Sequence, residues 1–125
     1  MATTARPPRA RVLVVEDHAA SRAVLGVLLD YHGYEVRTAP DGPSGLDEAV
    51  RWRPDVVVSD IGLPGLDGWE LAARARARLG GAVLLVALTG HNGPGDRERS
   101  LQAGFDHHLP KPADLGALLR LLGRG

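Results

Sequence analysis

The feature that most constrains this chain is a regular alternation of short apolar runs and longer segments with helical periodicity. The runs at 12–15 and 56–58 are apolar without polar alternation, which is typical of parallel strands buried on both faces. Between such runs, segments such as 20–32 place apolar residues at helical spacing. Five strand–helix units of this kind predict an α/β fold, a doubly wound five-stranded parallel sheet with helices on both faces.

The element boundaries follow from this pattern and from glycine and proline. The predicted strands cover residues 12–15, 34–38, 56–58, 82–88 and 105–109. The predicted helices cover residues 20–32, 41–50, 69–79, 96–103 and 113–122. We expect a flexible N-terminal tail at 1–10, one folded domain at 11–122 and a short C-terminal tail at 123–125.

Composition narrows the possible functions of the 125 residues. The absence of cysteine excludes disulfides, thiolate metal sites and a cysteine nucleophile. Fifteen basic and 15 acidic residues give zero net charge, so direct nucleic-acid binding is not expected. The longest apolar run, 82–88, is far shorter than the roughly 18 residues that span a bilayer, and the N-terminus lacks the apolar segment of a signal peptide. We therefore expect a cytoplasmic protein with no membrane association.

Polar side chains follow the predicted strands at the edge where such sheets bind ligands. The pairs are Glu16 and Asp17, Ser59 and Asp60, Thr89 and Gly90, and Lys111 and Pro112. Three carboxylates and one ammonium leave a charge of −2, which would favour a bound cation. Oxygen ligands suit a hard divalent ion, and Mg²⁺ fits best because it keeps waters that a phosphate can replace.

The same groups suit phosphoryl transfer. A carboxylate can act as the nucleophile and form an acyl phosphate. The ammonium, a hydroxyl, backbone N–H groups and Mg²⁺ can stabilise the equatorial oxygens of the phosphoryl group.

The strings VLVVEDH, DIGLPGLDGWEL, ALTG and GFDHHLPKP, in this order and spacing, resemble the receiver domain of two-component response regulators. The resemblance covers about residues 11–122 and implies the flavodoxin-like strand order 2-1-3-4-5. It implies that Asp60 is the phosphoacceptor, with Thr89 and Lys111 contacting the phosphoryl group. The wording of the second and fourth strings looks more like receivers attached to hybrid histidine kinases.

The resemblance also implies a metal site and a switch. Mg²⁺ would be bound by Asp17 directly, by Asp60, by Glu16 through water, and by the backbone carbonyl of Gly62. Thr89 would act in the conformational switch with His108, which stands where the family usually has tyrosine or phenylalanine. A cis peptide bond would precede Pro112. Gly90 replaces the family's usual alanine.

The implied function is that of a switch which catalyses only its own phosphorylation and dephosphorylation and is not otherwise an enzyme. Its partner would be a histidine kinase or a histidine phosphotransfer protein, and the chain itself would be a monomer or weak dimer. One alternative is a Mg²⁺-dependent phosphatase of the aspartate-nucleophile class, which needs a second acid where this chain has Gly62. The others are a flavin-binding module, disfavoured by Glu16 and Asp17, and a receiver-like binding module that is never phosphorylated.

Overall fold

The computed structural model describes residues 10–90 and 94–123, with only the backbone of Pro94 included. Five strands and five α-helices alternate along these residues. The strands are β1 (Arg11–Val15), β2 (Glu35–Ala39), β3 (Val56–Asp60), β4 (Leu84–Thr89) and β5 (His107–Pro110). The helices are α1 (Ala19–Tyr31), α2 (Gly42–Trp52), α3 (Gly68–Leu79), α4 (Pro94–Ala103) and α5 (Leu115–Leu121).

The strands form one parallel sheet in the order β2-β1-β3-β4-β5, which confirms the predicted fold class and order. Apolar side chains alternate between the two faces of the sheet and build two core layers. The layer that includes helices α2 and α3 contains Leu13, Val15, Val57, Leu85, Ala87, Leu71 and Ala72. The layer that includes helices α1 and α5 contains Val12, Val14, Val58, Val86, Leu88, Leu29 and Leu118. Full burial of each Val or Leu side chain contributes about 1.5–3 kcal/mol to the stability of the folded state, so these two layers stabilise the sheet.

Polar residues at the helix N-termini fix where most helices begin. The carboxylates of Asp41, Asp67 and Asp114 accept hydrogen bonds from backbone N–H groups in the first turns of α2, α3 and α5, at 2.7, 2.9 and 3.0 Å. The imidazole of His18 accepts from the N–H of Ser21 at the start of α1. Each such cap stabilises its helix by about 1 kcal/mol.

Two predicted strand starts were wrong by two residues. Residues Gly80–Ala82 form a 3₁₀ turn. Strand β4 begins only at Leu84, because Leu84 pairs with Val56, the first residue of β3. The fifth strand begins at His107, two residues later than predicted. The N–H of Phe105 instead bonds to the carbonyl of Ser100 and closes the end of α4.

The two tryptophans, for which the sequence suggests no role, both join elements. The guanidinium of Arg37 lies 4.7 Å from the Trp52 ring centroid and joins β2 to the end of α2. The indole N–H of Trp69 on α3 donates to the buried Ser100 hydroxyl on α4, while Arg99 stacks over its ring at 3.7 Å. Helix α4 is thereby attached to the start of α3, next to the carboxyl end of β3.

Candidate functional site at the carboxyl edge of the sheet

The carboxyl ends of the strands bring five polar side chains to one edge. Glu16 and Asp17 follow β1, Asp60 ends β3, Thr89 ends β4, and Lys111 follows β5. The register places Ser59 beside Val15 and Ala87, so β1, β3 and β4 end at the same level. The sheet topology alone therefore gathers residues that are up to 95 positions apart in the sequence.

The ammonium of Lys111 lies between two buried carboxylates. Its Nζ donates to Glu16 Oε1 at 3.0 Å and forms an ion pair with Asp60 Oδ1. The side chains of Glu16 and Asp60 are 5% and 6% exposed, whereas that of Lys111 is 34% exposed. Its backbone N–H donates to the carbonyl of Thr89 at 2.8 Å, and the peptide bond to Pro112 is cis, as the resemblance implies.

Glu16, Asp17 and Asp60 each present a carboxylate oxygen within 4.8 Å of the others. Glu16 and Asp60 are buried, while Asp17 is exposed at the mouth of the site. Two buried carboxylates and one exposed carboxylate, opposed by one ammonium, form an oxygen donor set with excess negative charge. This donor set fits a hard divalent cation such as Mg²⁺.

A cavity of about 310 Å³ opens next to this cluster. It is lined by Asp17, Asp60, Ile61, Gly62, Leu88, Thr89, Gly90 and Lys111. A Cβ built on Gly62 or on Gly90 would meet no atom within 4 Å, so the backbone of both residues is open to a ligand. The structure thus places the predicted site residues Asp17, Asp60, Gly62, Thr89 and Lys111 around one space, with Glu16 reaching the same Lys111 from outside it.

The crowding of charges displaces the pKa values of both buried carboxyls. Burial, followed by the hydrogen bond and Coulomb repulsion from Glu16, raises the pKa of Asp60 to about 7, although Lys111 opposes the shift. Burial also disfavours the charge on Glu16, but hydrogen bonds from Asp60, the His18 N–H and Lys111 outweigh it and lower the pKa of Glu16 to about 2. The shifts have opposite signs because the two neighbouring carboxyls titrate as a pair, and the charge on one disfavours ionisation of the other.

Two residues that the sequence analysis missed hold Glu16 and Asp60 in place. Arg22 on α1 donates from Nη1 to the Glu16 carbonyl at 2.9 Å. Gly68, the first residue of α3, packs against the Asp60 carbonyl, and its N–H donates to Ile61 at 2.7 Å. A Cβ at Gly68 would lie 2.7 Å from the Ile61 Cα, so only glycine fits. The GLDG segment is the sequence signal that could have indicated this contact.

His108 lies apart from the carboxylate cluster. Its backbone pairs with Ala87, and Thr89 lies two residues beyond Ala87, on the same face of β4. Both ring nitrogens of His108 are buried and have no hydrogen-bond partner among the described residues. Burial, together with the charge of Arg97, lowers the pKa of this imidazole. His91, the residue after Gly90, lies outside the described residues.

Residues 12–122 match the family described as the response regulator receiver domain. The chain belongs to this family. It is 40% identical over 109 residues to the response regulator MprA of Mycobacterium sp. (strain KMS), covering 87% of this chain and 47% of that protein. The chain therefore spans about half the length of the curated relatives it matches.

Solved structures of receivers have the same fold. The chemotaxis protein CheY4 of Vibrio cholerae superposes with a TM-score of 0.86 at 31% identity, covering 94% of this chain and 98% of that chain. The receiver domain of the sensor histidine kinase PA1611 of Pseudomonas aeruginosa superposes with a TM-score of 0.83 at 36% identity, covering 94% and 97% of the two chains. That receiver holds a magnesium ion coordinated in its active-site cleft. Among the described residues of the present receiver, no helix is both long and apolar enough to cross a membrane.

Proposed function

We propose that this receiver accepts a phosphoryl group on Asp60 from a phosphohistidine of a histidine kinase or histidine phosphotransfer protein. The main support for this proposal is the position of Asp60. Its carboxylate is buried, faces an open cavity and forms an ion pair with Lys111. In the transfer, an Asp60 oxygen bonds to phosphorus as the phosphorus–nitrogen bond breaks. The imidazole leaves with that electron pair and can take up a proton.

Other residues around the cavity would stabilise the transferred group. Lys111 supplies a compact positive charge, held in place by Glu16 at 3.0 Å, for one equatorial oxygen. Thr89, at the end of β4, would donate its hydroxyl to another oxygen. The N–H of Gly90 can approach closely because no Cβ shields it.

The acidic cluster would hold Mg²⁺ through Asp17, Asp60 and the Gly62 carbonyl, with Glu16 acting through water. The support is the three-carboxylate donor set and the open backbone at Gly62. When bound, the ion supplies positive charge that neutralises the phosphoryl oxygens. Because the pKa of Asp60 is raised, its carboxyl must be deprotonated before transfer, and Lys111 stabilises the resulting carboxylate.

Residues 11–122 would act as the receiver unit, between tails at 1–10 and 123–125. Phosphorylation would change the surface of the receiver, and Thr89 and His108 would be the two side chains that move. Their shared sheet face and the absence of a polar partner for His108 among the described residues support this assignment. Once the Thr89 hydroxyl turns toward a phosphoryl oxygen, it vacates space that the His108 ring can enter.

Labelling with acetyl phosphate tests the phosphoacceptor. The wild type is expected to gain one hydroxylamine-labile phosphate in the presence of Mg²⁺, and Asp60→Asn to gain none. Asp47→Asn is the matched control, because Asp47 is an exposed carboxylate on α2 whose side chain is 62% exposed. Stoichiometric labelling of a folded Asp60→Asn variant would refute the assignment.

A further inference from the structure

The loop of residues 61–67, between β3 and α3, brings the backbone of Gly62 to the cavity of the site. The loop is also anchored in the core, because Leu63 and Leu66 are each 9% exposed and belong to the layer that includes α2 and α3. The N–H of Leu63 donates to the carbonyl of Ile61 at 3.1 Å, so Gly62 forms the tip of a tight turn. The contacts that hold the two ends of this turn therefore determine where the Gly62 carbonyl lies.

One end of the turn follows directly from β3, and the other end lies against the start of α2. The N–H of Gly42, the first residue of α2, donates to the carbonyl of Pro64 at 3.3 Å. A Cβ built on Gly42 would overlap the carbonyl oxygen of Leu66 and would lie 2.6 Å from the Leu66 Cβ. Because the overlapped carbonyl belongs to the backbone, the loop would have to move to admit any larger residue. Position 42 therefore requires glycine if α2 is to approach the loop this closely.

A second contact at the same place supports the loop. Gly65 has a φ of +80°, which favours glycine, and a Cβ there would lie 3.1 Å from the ring of Pro43. Pro43 follows Gly42 in the first turn of α2, where the fixed φ of proline suits a helix. The carboxylate of Asp41 caps that turn by accepting a hydrogen bond from the N–H of Ser44 at 2.7 Å. The start of α2 is therefore held independently of the loop that it contacts.

We propose that Gly42 and Pro43 are positioning residues for the metal site: they fix the loop of residues 61–67 so that the Gly62 carbonyl can serve as a ligand of the cation. This inference rests on the proposed function in taking Gly62 as a Mg²⁺ ligand. Mg²⁺ requires nearly octahedral geometry with oxygens at about 2.0–2.1 Å, so a carbonyl that moves by roughly 1 Å binds it poorly. Residues that orient metal ligands without touching the metal typically change its affinity by about 10- to 100-fold when they are replaced.

Mg²⁺ titrations of the isotope-labelled full chain, followed by NMR, test the proposal. Gly42→Ala is expected to raise the Mg²⁺ dissociation constant about tenfold, because its Cβ displaces the loop. It is also expected to shift the amide signal of Gly62 in the metal-free protein, a readout that requires no bound ion. The matched control is Ala49→Gly on the same helix. Ala49 is fully buried, so this substitution lowers Tm, but it lies about two turns from Gly42 and is expected to keep the wild-type dissociation constant.

The possible outcomes separate this inference from the proposed function. If the wild type shows no Mg²⁺-dependent shifts at Asp17, Asp60 and Gly62, the proposed metal site is wrong and the inference is overturned with it. If the wild type binds Mg²⁺ and Gly42→Ala binds it equally well at a lower Tm, Gly42 has a structural role only, and the metal site stands. An equal loss of affinity in Ala49→Gly would also overturn the inference, since any destabilised variant would then bind Mg²⁺ weakly.

A second variant keeps the test decisive if Gly42→Ala does not fold. Pro43→Ala removes the ring that contacts Gly65 and adds no atom that could overlap the loop. The loosened loop is expected to bind Mg²⁺ about two- to threefold more weakly than the wild type. Hydrogen exchange of the Leu63 amide, which closes the turn at Gly62, is expected to be faster in the metal-free variant. An unchanged dissociation constant together with unchanged exchange in Pro43→Ala would overturn the proposal.

Discussion

At the scale of single residues, the site combines two buried carboxyls with one ammonium. Because Lys111 can neutralise only one of Glu16 and Asp60, the second carboxyl retains a proton to a higher pH than an isolated aspartate. The folded receiver therefore holds unfavourable charge at neutral pH in the absence of a cation. The same excess of negative charge that would attract Mg²⁺ lowers the stability of the metal-free protein.

The first prediction is that Asp60→Asn stabilises the metal-free protein at pH 8, by roughly 1–3 kcal/mol in the free energy of unfolding. The pKa of Asp60 is about 7 in the folded state against 3.8 for an unperturbed aspartate, so the folded state binds more protons between these values. The wild type consequently loses stability as the pH rises through this window, and the variant does not.

Urea titrations at several pH values between about 4 and 8, with a metal chelator present, measure this difference. The gap between variant and wild type is expected to widen as the pH rises. Asp47→Asn, on the exposed face of α2, serves as the control. A gap that is constant with pH would show that Asp60 is not the group that holds the proton.

The second prediction concerns His108, whose two ring nitrogens are buried without a partner among the described residues. Burial lowers the pKa of this imidazole, so the unfolded chain binds the proton more readily. As a result, the free energy of unfolding has its full value with respect to this group above pH 6.5, and it decreases as the pH falls below 6.5. His108→Leu, of similar volume, is expected to stabilise the protein by about 1–2 kcal/mol at pH 7, and more at lower pH.

Chemical denaturation of wild type and His108→Leu at about pH 7 and at about pH 5.5 measures both effects. Equal stability of the two proteins at both pH values would mean that the ring nitrogens find partners in solution.

At the scale of secondary-structure elements, Arg76 on α3 connects segments that are distant in sequence. Its guanidinium donates to the carbonyls of Gly80, Val83 and Gly104 at 2.8, 2.7 and 2.8 Å, and to the Asp106 carboxylate at 2.7 Å. These bonds join the end of α3, the approach to β4 and the approach to β5. A planar group with five donors is needed to reach all four acceptors.

The third prediction is that Arg76→Ala lowers the free energy of unfolding by about 2–4 kcal/mol, because four acceptors each lose a hydrogen bond from Arg76. Arg76→Lys is expected to recover only part of this loss, since an ammonium cannot span the same acceptors. The control is Arg74→Ala: Arg74 lies on the same helix in an exposed pair with Glu70, which contributes about 0.5 kcal/mol. Equal losses in Arg76→Ala and Arg74→Ala would contradict the assigned role.

The junction of β3 and α3 is also determined by one residue. The fourth prediction is that Gly68→Ala destabilises the protein by about 1–3 kcal/mol, because the new Cβ would overlap the backbone of Asp60 and Ile61. It is also expected to slow acetyl phosphate labelling, since the Asp60 backbone must shift. Gly81→Ala is the matched control: Gly81 lies in the 3₁₀ turn before β4, away from the cavity, and a Cβ there meets no atom within 4 Å. Equal stability and labelling rates in the two variants would contradict the prediction.

At the scale of the whole molecule, the sequence was sufficient to predict the fold and the edge of the sheet at which the site forms. The apolar run 12–15 and its counterparts predict a parallel sheet, and the strand order that the family resemblance implies brings Asp60 and Lys111 to the same edge. The contacts of Arg76 could not be predicted, because Asp106 is 30 residues away and no local pattern links them. The start of β4 was misplaced for a similar reason, since pairing with Val56 determines it rather than the apolarity of residue 82.

The last prediction concerns the link between the metal site and global stability. A cation that binds the folded chain and not the unfolded one raises the free energy of unfolding by an amount that depends on its concentration. Glu16, Asp17 and Asp60 come together only in the folded state, because β1 and β3 must be paired. We therefore expect Tm to rise with Mg²⁺ concentration and to continue rising above the dissociation constant. Asp17→Ala is expected to remove most of this rise, since Asp17 is the exposed carboxylate at the mouth of the site.

Thermal melts over a series of Mg²⁺ concentrations, at constant ionic strength, separate this effect from screening. Asp47→Ala removes the same charge from α2 and is expected to keep the wild-type response. Without Mg²⁺, Asp17→Ala is expected to melt at or above the wild-type temperature, because the variant has one fewer carboxylate in the crowded cluster. A Mg²⁺ response that is equal in the wild type and in Asp17→Ala would place the ion elsewhere on the protein.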